Sequence, residues 1–165
     1  MAETRLGYSR AQVALHWTVA VLVVAQIVLH DGMVAAYAAG RGVGTATGSD
    51  LFLADLHVGF GIAVFALALM RVALRVKRGA PPPQDEHPAL RMAARATHFA
   101  LYALILGMPV TGGLAWFGGI EAMADLHGAG KAAILVLVGL HVLGALYQHF
   151  YLRTDVLRRM LRPER

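Results

Sequence analysis

Residues 126–150 read LHGAGKAAILVLVGLHVLGALYQHF. Lys131 is the one formally charged side chain in that stretch, and a helix needs about 20 apolar residues to cross the hydrocarbon layer of a membrane. Inside a bilayer no water satisfies the backbone, so such a run is a helix unless it closes into a barrel. The apolar–polar alternation of a barrel strand is absent. The stretch therefore predicts a membrane-spanning helix, and of its three histidines His127 and His141 lie 14 positions apart.

Three similar runs lie upstream, at 11–29, 53–74 and 96–117, with the fourth at 129–151. The 165 residues are 58% hydrophobic with a mean hydropathy of +0.58, beyond the roughly half-apolar usage of soluble domains. The expected fold is all-α: one integral membrane four-helix bundle over 1–165, running up-down-up-down. The first run carries His16, Gln26 and, at its end, His30. It lacks a small-residue cleavage site, so it reads as a retained anchor and not a signal peptide. Cysteine is absent, which excludes disulfides, thiolate metal sites and cysteine nucleophiles.

The connections carry their own signals. Residues 31–50 are rich in glycine and alanine without a clear helical pattern, and read as an irregular loop. Residues 76–91 contain APPPQDEHP, whose prolines impose an extended link. Residues 118–126 are few enough to make the third and fourth helices antiparallel neighbours. Of 15 Lys and Arg, 13 fall on one side: Arg5, Arg10, Arg71, Arg75, Lys77, Arg78, Arg91, Arg95, Arg153, Arg158, Arg159, Arg162 and Arg165. Arg41 and Lys131 fall on the other. The positive-inside rule then places both termini in the cytoplasm. The formal charge of +5 is an orientation signal and not a nucleic-acid footprint. Glycines 107, 112 and 113 beside Pro109, and glycines 130, 139 and 144, suit close helix packing and a kink as well as they suit a flat cofactor.

Eight histidines in so apolar a chain are the informative feature. His87, in the proline-rich link, reads as solvated. The others lie in or beside the spans, where ionisable groups are costly and usually functional. On one helix His127 and His141 are about 40° apart around the axis and about 21 Å apart along it. That is too far for one metal ion. It suits one axial ligand for each of two stacked haems, and the lack of cysteine or clustered carboxylates argues against zinc or a di-iron site. Polar side chains bonded across helices are the plainer alternative. His16, near the cytoplasmic end of the first helix, is level with His141. For His127 two partners qualify equally: His30, 14 residues after His16, and His57, at the outer end of the second helix.

Several segments resemble the bacterial cytochrome b561 family over nearly the whole chain. They are YSRAQVALHW at 8–17, LHVGFGIAVFALALMRVALR at 56–75, HFALYALILGMPVTG at 98–112, the fourth run quoted above, and LRTDVLRRM at 152–160. The family is one of small di-haem proteins of the inner membrane, related to the cytochrome b subunits of formate dehydrogenases and nickel-iron hydrogenases. The resemblance implies two non-covalent haems b, with His16, His57, His127 and His141 as iron ligands, and so selects His57 over His30. It also points to His98, with Tyr102 one turn on, without giving it a role. Arg10, Arg71 and Arg75 are candidate partners for inner haem propionates and Lys131 for outer ones, interfacial anchoring being their simpler role. His149, about 80° around the helix from His141, reads as interfacial.

Two haems in series make an electron path across the bilayer, and bis-histidine ligation disfavours oxygen binding. The implied function is electron transfer between an exterior donor and membrane quinone. Some members of the resembled family oxidise superoxide and reduce ubiquinone. A cytochrome b subunit relaying electrons for a partner dehydrogenase or hydrogenase is the alternative, and a haem-free structural or transport bundle the third. No residue stands out as catalytic. The outer side carries Asp31, Asp50, Asp55, Glu121 and Asp125 against Arg41 and Lys131, a poor funnel for an anionic substrate.

Overall fold

The computed structural model describes residues 7–82 and 87–164. Arg5, Arg165 and positions 83–86 of the proline-rich link, all used in the sequence reading, lie outside the described residues. The described chain is helical throughout: α1 (Arg10–Val28), α2 (His30–Gly40), α3 (Gly48–Arg78), α4 (Pro88–Gly118), α5 (Glu121–Leu146) and α6 (Val156–Leu161), with a π-helical turn at Tyr147–Tyr151 after α5. Four helices are long and apolar enough to cross a membrane: α1, α3, α4 and α5 with its π-turn.

The helix ends are set locally. Ser9 and Gln12 form a capping box on α1, and Thr47 and Asp50 form one on α3, each pairing backbone donors that the first turn leaves free. His87 caps α4 by accepting from the Ala89 N–H at 3.3 Å, with Pro88 at the first helical position. His87 is thus exposed, as expected, but it also has a local structural task. Gly79 and Gly119 end α3 and α4 at positive φ, 76° and 65°, and Gly119 takes the left-handed helical conformation.

The Gly/Ala-rich stretch differs from the expected loop, because His30–Gly40 is helix α2. Its alanines favour a helix, and burial of Gly32 and Ala36 against α3 stabilises it. A Cβ on Gly32 would stand 2.7 Å from the Leu53 Cβ, so this packing requires glycine. The sequence boundaries were also short. α3 and α4 each run 31 residues, and α5 follows α4 after Gly119 and Ile120 alone.

The interior is small in side chain, and no polar or charged residue among the described ones is fully buried. Its buried positions include Val19, Ala36, Ala54, Val64, Ala68, Ala115 and Ile134. Large apolar groups face outward instead, with Val28 and Phe99 each 76% exposed. That inversion suits lipid, where small residues allow helices close approach.

α3 packs on α1, α2 and α4, and α4 packs on α5, whereas α1 and α5 do not pack closely on each other among the described residues. A cleft is left between the α1/α3 and α4/α5 layers. One end of the bundle is tied by Trp17 Nε1–H donating to the Met160 carbonyl at 2.8 Å, Gln12 to that of Gly79 at 3.1 Å, and the Glu164 N–H to that of Tyr8 at 2.9 Å. The other end is tied by an Arg41–Glu121 ion pair and by Tyr37 against Trp116.

Candidate haem-binding cleft

Two pairs of imidazoles face each other across this cleft. His16 of α1 faces His141 of α5 with ring centres 6.2 Å apart, and His57 of α3 faces His127 of α5, also at 6.2 Å. The pairs sit at different levels because His127 and His141 are 14 residues apart on one helix.

The seat of His127 is built by α4. Pro109 lies inside α4 and has no backbone N–H, so the Ile105 carbonyl one turn back loses its helical partner. The adjacent Met108 carbonyl accepts from His127 Nδ1–H at 2.9 Å, and Thr111 Oγ1 lies 3.3 Å from the same nitrogen. A Cβ on Gly112 would stand 2.9 Å from His127 Cε1. Gly112 therefore makes room for this ring, and Gly130 makes room for the Met108 thioether. With Nδ1 donating, the neutral ring presents its lone pair at Nε2.

Around His57 the cleft is lined by Gln26, His30, Gly61, Met108, His127, Gly128 and Lys131, among others. It is open to its surroundings and not an enclosed cavity. His30 shares this cleft, but the ring facing His127 is that of His57. The glycine on the His57 face is Gly61, one turn on. Gly59, two residues from His57, points about 200° away and meets no protein atom within 4 Å.

The other cluster draws on four helices. His16 Nδ1 is 2.9 Å from Arg71 Nη2, and the Arg71 guanidinium lies 5.5 Å from the Tyr102 ring centre. His98 of α4 stands edge-on to His141 at 5.1 Å and donates from Nδ1 to the Ala94 carbonyl at 2.6 Å. Arg10 and Arg75 are exposed nearby; of the three arginines only Arg71 bonds a histidine. His149 falls in the π-turn against Phe150, apart from the pairs.

Both pairs fit a bis-histidine iron. A metal–imidazole bond is about 2.0–2.1 Å, and the nitrogen lies roughly 1.2 Å from the ring centre, so two in-line rings bracketing a metal stand on the order of 6.4 Å apart. His57 Nδ1 is buried without a partner, as for a ring awaiting a fixed setting. Among the described residues no three His, Cys, Asp or Glu side chains converge on one point, so the paired imidazoles are what the chain would offer such a group. One adjustment is required: a guanidinium only donates, so against Arg71 the neutral His16 carries its proton on Nε2. Ligation through Nε2 requires Arg71 to release His16.

One signal for the His57–His127 pair was legible in the sequence and missed. Ala-Asp-Leu-His occurs twice, at 54–57 and 124–127. Each copy ends on one member of this pair.

Apolar helices around paired histidines define a membrane-embedded b-type cytochrome. Residues 7–163 match the prokaryotic cytochrome b561 family, and the chain belongs to it. It is 35% identical to cytochrome b562 of Cereibacter sphaeroides over 157 residues, 95% of this chain and 96% of that protein. To the probable superoxide oxidase CybB of Yersinia pestis it is 29% identical over 184 aligned positions, 96% and 97% of the two chains. To cytochrome b561 homolog 2 of Escherichia coli (strain K12) it is 32% identical over 130 residues, 65% and 69%. No solved structure matches the chain significantly. The protein is thus a multi-pass electron-transfer protein of a bacterial inner-membrane family whose members carry haem b.

Proposed function

We propose that the chain is a di-haem oxidoreductase carrying electrons between an exterior donor and membrane quinone. In this reading His16 and His141 hold the inner haem and His57 and His127 the outer one. The observation that carries it is the repeated 6.2 Å ring separation at two levels of one cleft. Each bound haem supplies reversible one-electron transfer at its iron. The residues fix the rings and neutralise charge. Arg71, with Arg10 and Arg75, serves the inner haem carboxylates, and Lys131 the outer ones.

The four spans run up-down-up-down as one domain, with both termini cytoplasmic. The 13 to 2 division of basic residues supports this orientation. The contacts that gather the start of α1, the end of α3 and the tail support only a common side for the two termini.

Superoxide is the donor suggested by the name of the Yersinia pestis relative. A second reading is a subunit relaying electrons from a partner redox protein. It is favoured by the exterior charge: Arg41 is neutralised by Glu121, while Asp31, Asp55 and Asp125 are exposed without an ion-pair partner among the described residues. Such a surface repels an anion. Haem reduction of the purified protein by a quinol and by a superoxide source tests both readings. Rapid reduction by quinol is expected. Reduction by neither would contradict the first reading, and a co-purifying subunit would favour the second.

A further inference from the structure

Five histidine rings contact another ring in or beside the cleft, those of His16, His57, His98, His127 and His141, and three have their Nδ1 atoms engaged. His127 donates to Met108, His98 donates to Ala94, and His16 meets Arg71. Of the other two, His57 is the one whose Nδ1 is buried with no partner. Two other side-chain atoms are in the same position among the described residues, Tyr37 OH and Gln26 Oε1. Gln26 stands directly beside His57. Its Nε2–H donates to the His57 carbonyl at 2.9 Å, and both side chains line the same cleft. The room for this carboxamide is specific, since a Cβ on Gly61 would stand 3.2 Å from Gln26 Nε2.

We propose that Gln26 is the positioning residue for His57, accepting its Nδ1–H through Oε1 while Nε2 keeps its bond to the His57 carbonyl. The inference rests on the reading that His57 holds the outer haem iron. A carboxamide is planar and carries a donor and an acceptor on one carbon, so a single group can span the carbonyl and the ring nitrogen of one residue. A small turn of the ring or the amide removes two buried unpaired atoms together, which polar burial strongly favours. An acceptor at Nδ1 fixes the tautomer with its lone pair on Nε2 and makes that nitrogen a stronger donor. At His127 the Met108 carbonyl has the same relation to the ring. A glutamine that only fills space would be replaceable by leucine.

The test compares Gln26→Leu and Gln26→Glu with the unaltered protein, by haem content, redox titration and electron paramagnetic resonance. Gln26→Leu should raise the outer haem's midpoint potential, or reduce its retention. Gln26→Glu, whose carboxylate accepts more strongly, should keep both haems and lower that potential, with the outer low-spin signal moving the opposite way from leucine. The inner haem should be unchanged in both. The proposal is overturned if the two variants leave the outer signal in place, shift it in the same direction, or lose the outer haem equally. His57→Ala is the separate control. If that variant keeps its outer low-spin haem, the ligand assignment itself has failed, whatever Gln26 does.

Discussion

Gly112 and His127 are complementary in shape: a Cβ at position 112 would lie 2.9 Å from Cε1 and 3.0 Å from Nδ1 of the imidazole. The same helix offers the Met108 carbonyl to that ring. One short stretch of α4 thus gives the ring both its space and its direction.

Gly112→Ala should therefore disturb the outer histidine pair. Overpacking of this kind costs about 1–3 kcal/mol, and neither a rigid ring nor a helix backbone yields easily. The expected outcome is partial loss of outer haem, read by haem content, with the inner low-spin signal retained. Gly113→Ala, where no protein atom lies within 4 Å of the added carbon, is the comparison. Equal loss in both variants would show that the fit at position 112 is immaterial.

His57 and His30 line one cleft, and His57 is the ring facing His127. His57→Ala should remove the outer haem or convert it to a high-spin form, while the inner haem keeps its spectrum. His30→Ala should leave both haems low-spin, with a modest shift in potential at most. A low-spin signal lost in His30→Ala and kept in His57→Ala would reverse the assignment.

Arg71 is the one arginine among the described residues bonded to a cleft histidine. With Arg71→Leu, the inner haem carboxylates lose their nearest cation, and uncompensated negative charge favours the ferric state. The inner midpoint potential should fall while the outer one stays in place. A redox titration showing both potentials unchanged would limit Arg71 to interfacial anchoring.

The four spans were legible because lipid-facing and bundle-facing positions are both apolar, so each run stands out by length. The histidines were legible because little else in such runs is ionisable. α2 was not, since its alanines and glycines carry no apolar period and its stability comes from Gly32 against Leu53. The choice between His57 and His30 was open on depth alone, although the repeated Ala-Asp-Leu-His favoured His57. The Met108–His127 bond joins residues 19 apart on two helices. It depends on how α4 packs on α5, which spacing alone does not give.

Orientation has its own check. Reporter fusions at the C-terminus should be active in the cytoplasmic format and silent in the periplasmic one, as the distribution of arginines requires. The opposite pattern would exchange the inner and outer haems.

The most direct measurement is the haem content of the purified protein from haem-sufficient cells, by the pyridine haemochrome method. Paired histidines at two levels predict two haems b per chain, both extractable by acid–acetone because no cysteine is available to attach them. One haem per chain, or none, would contradict the account.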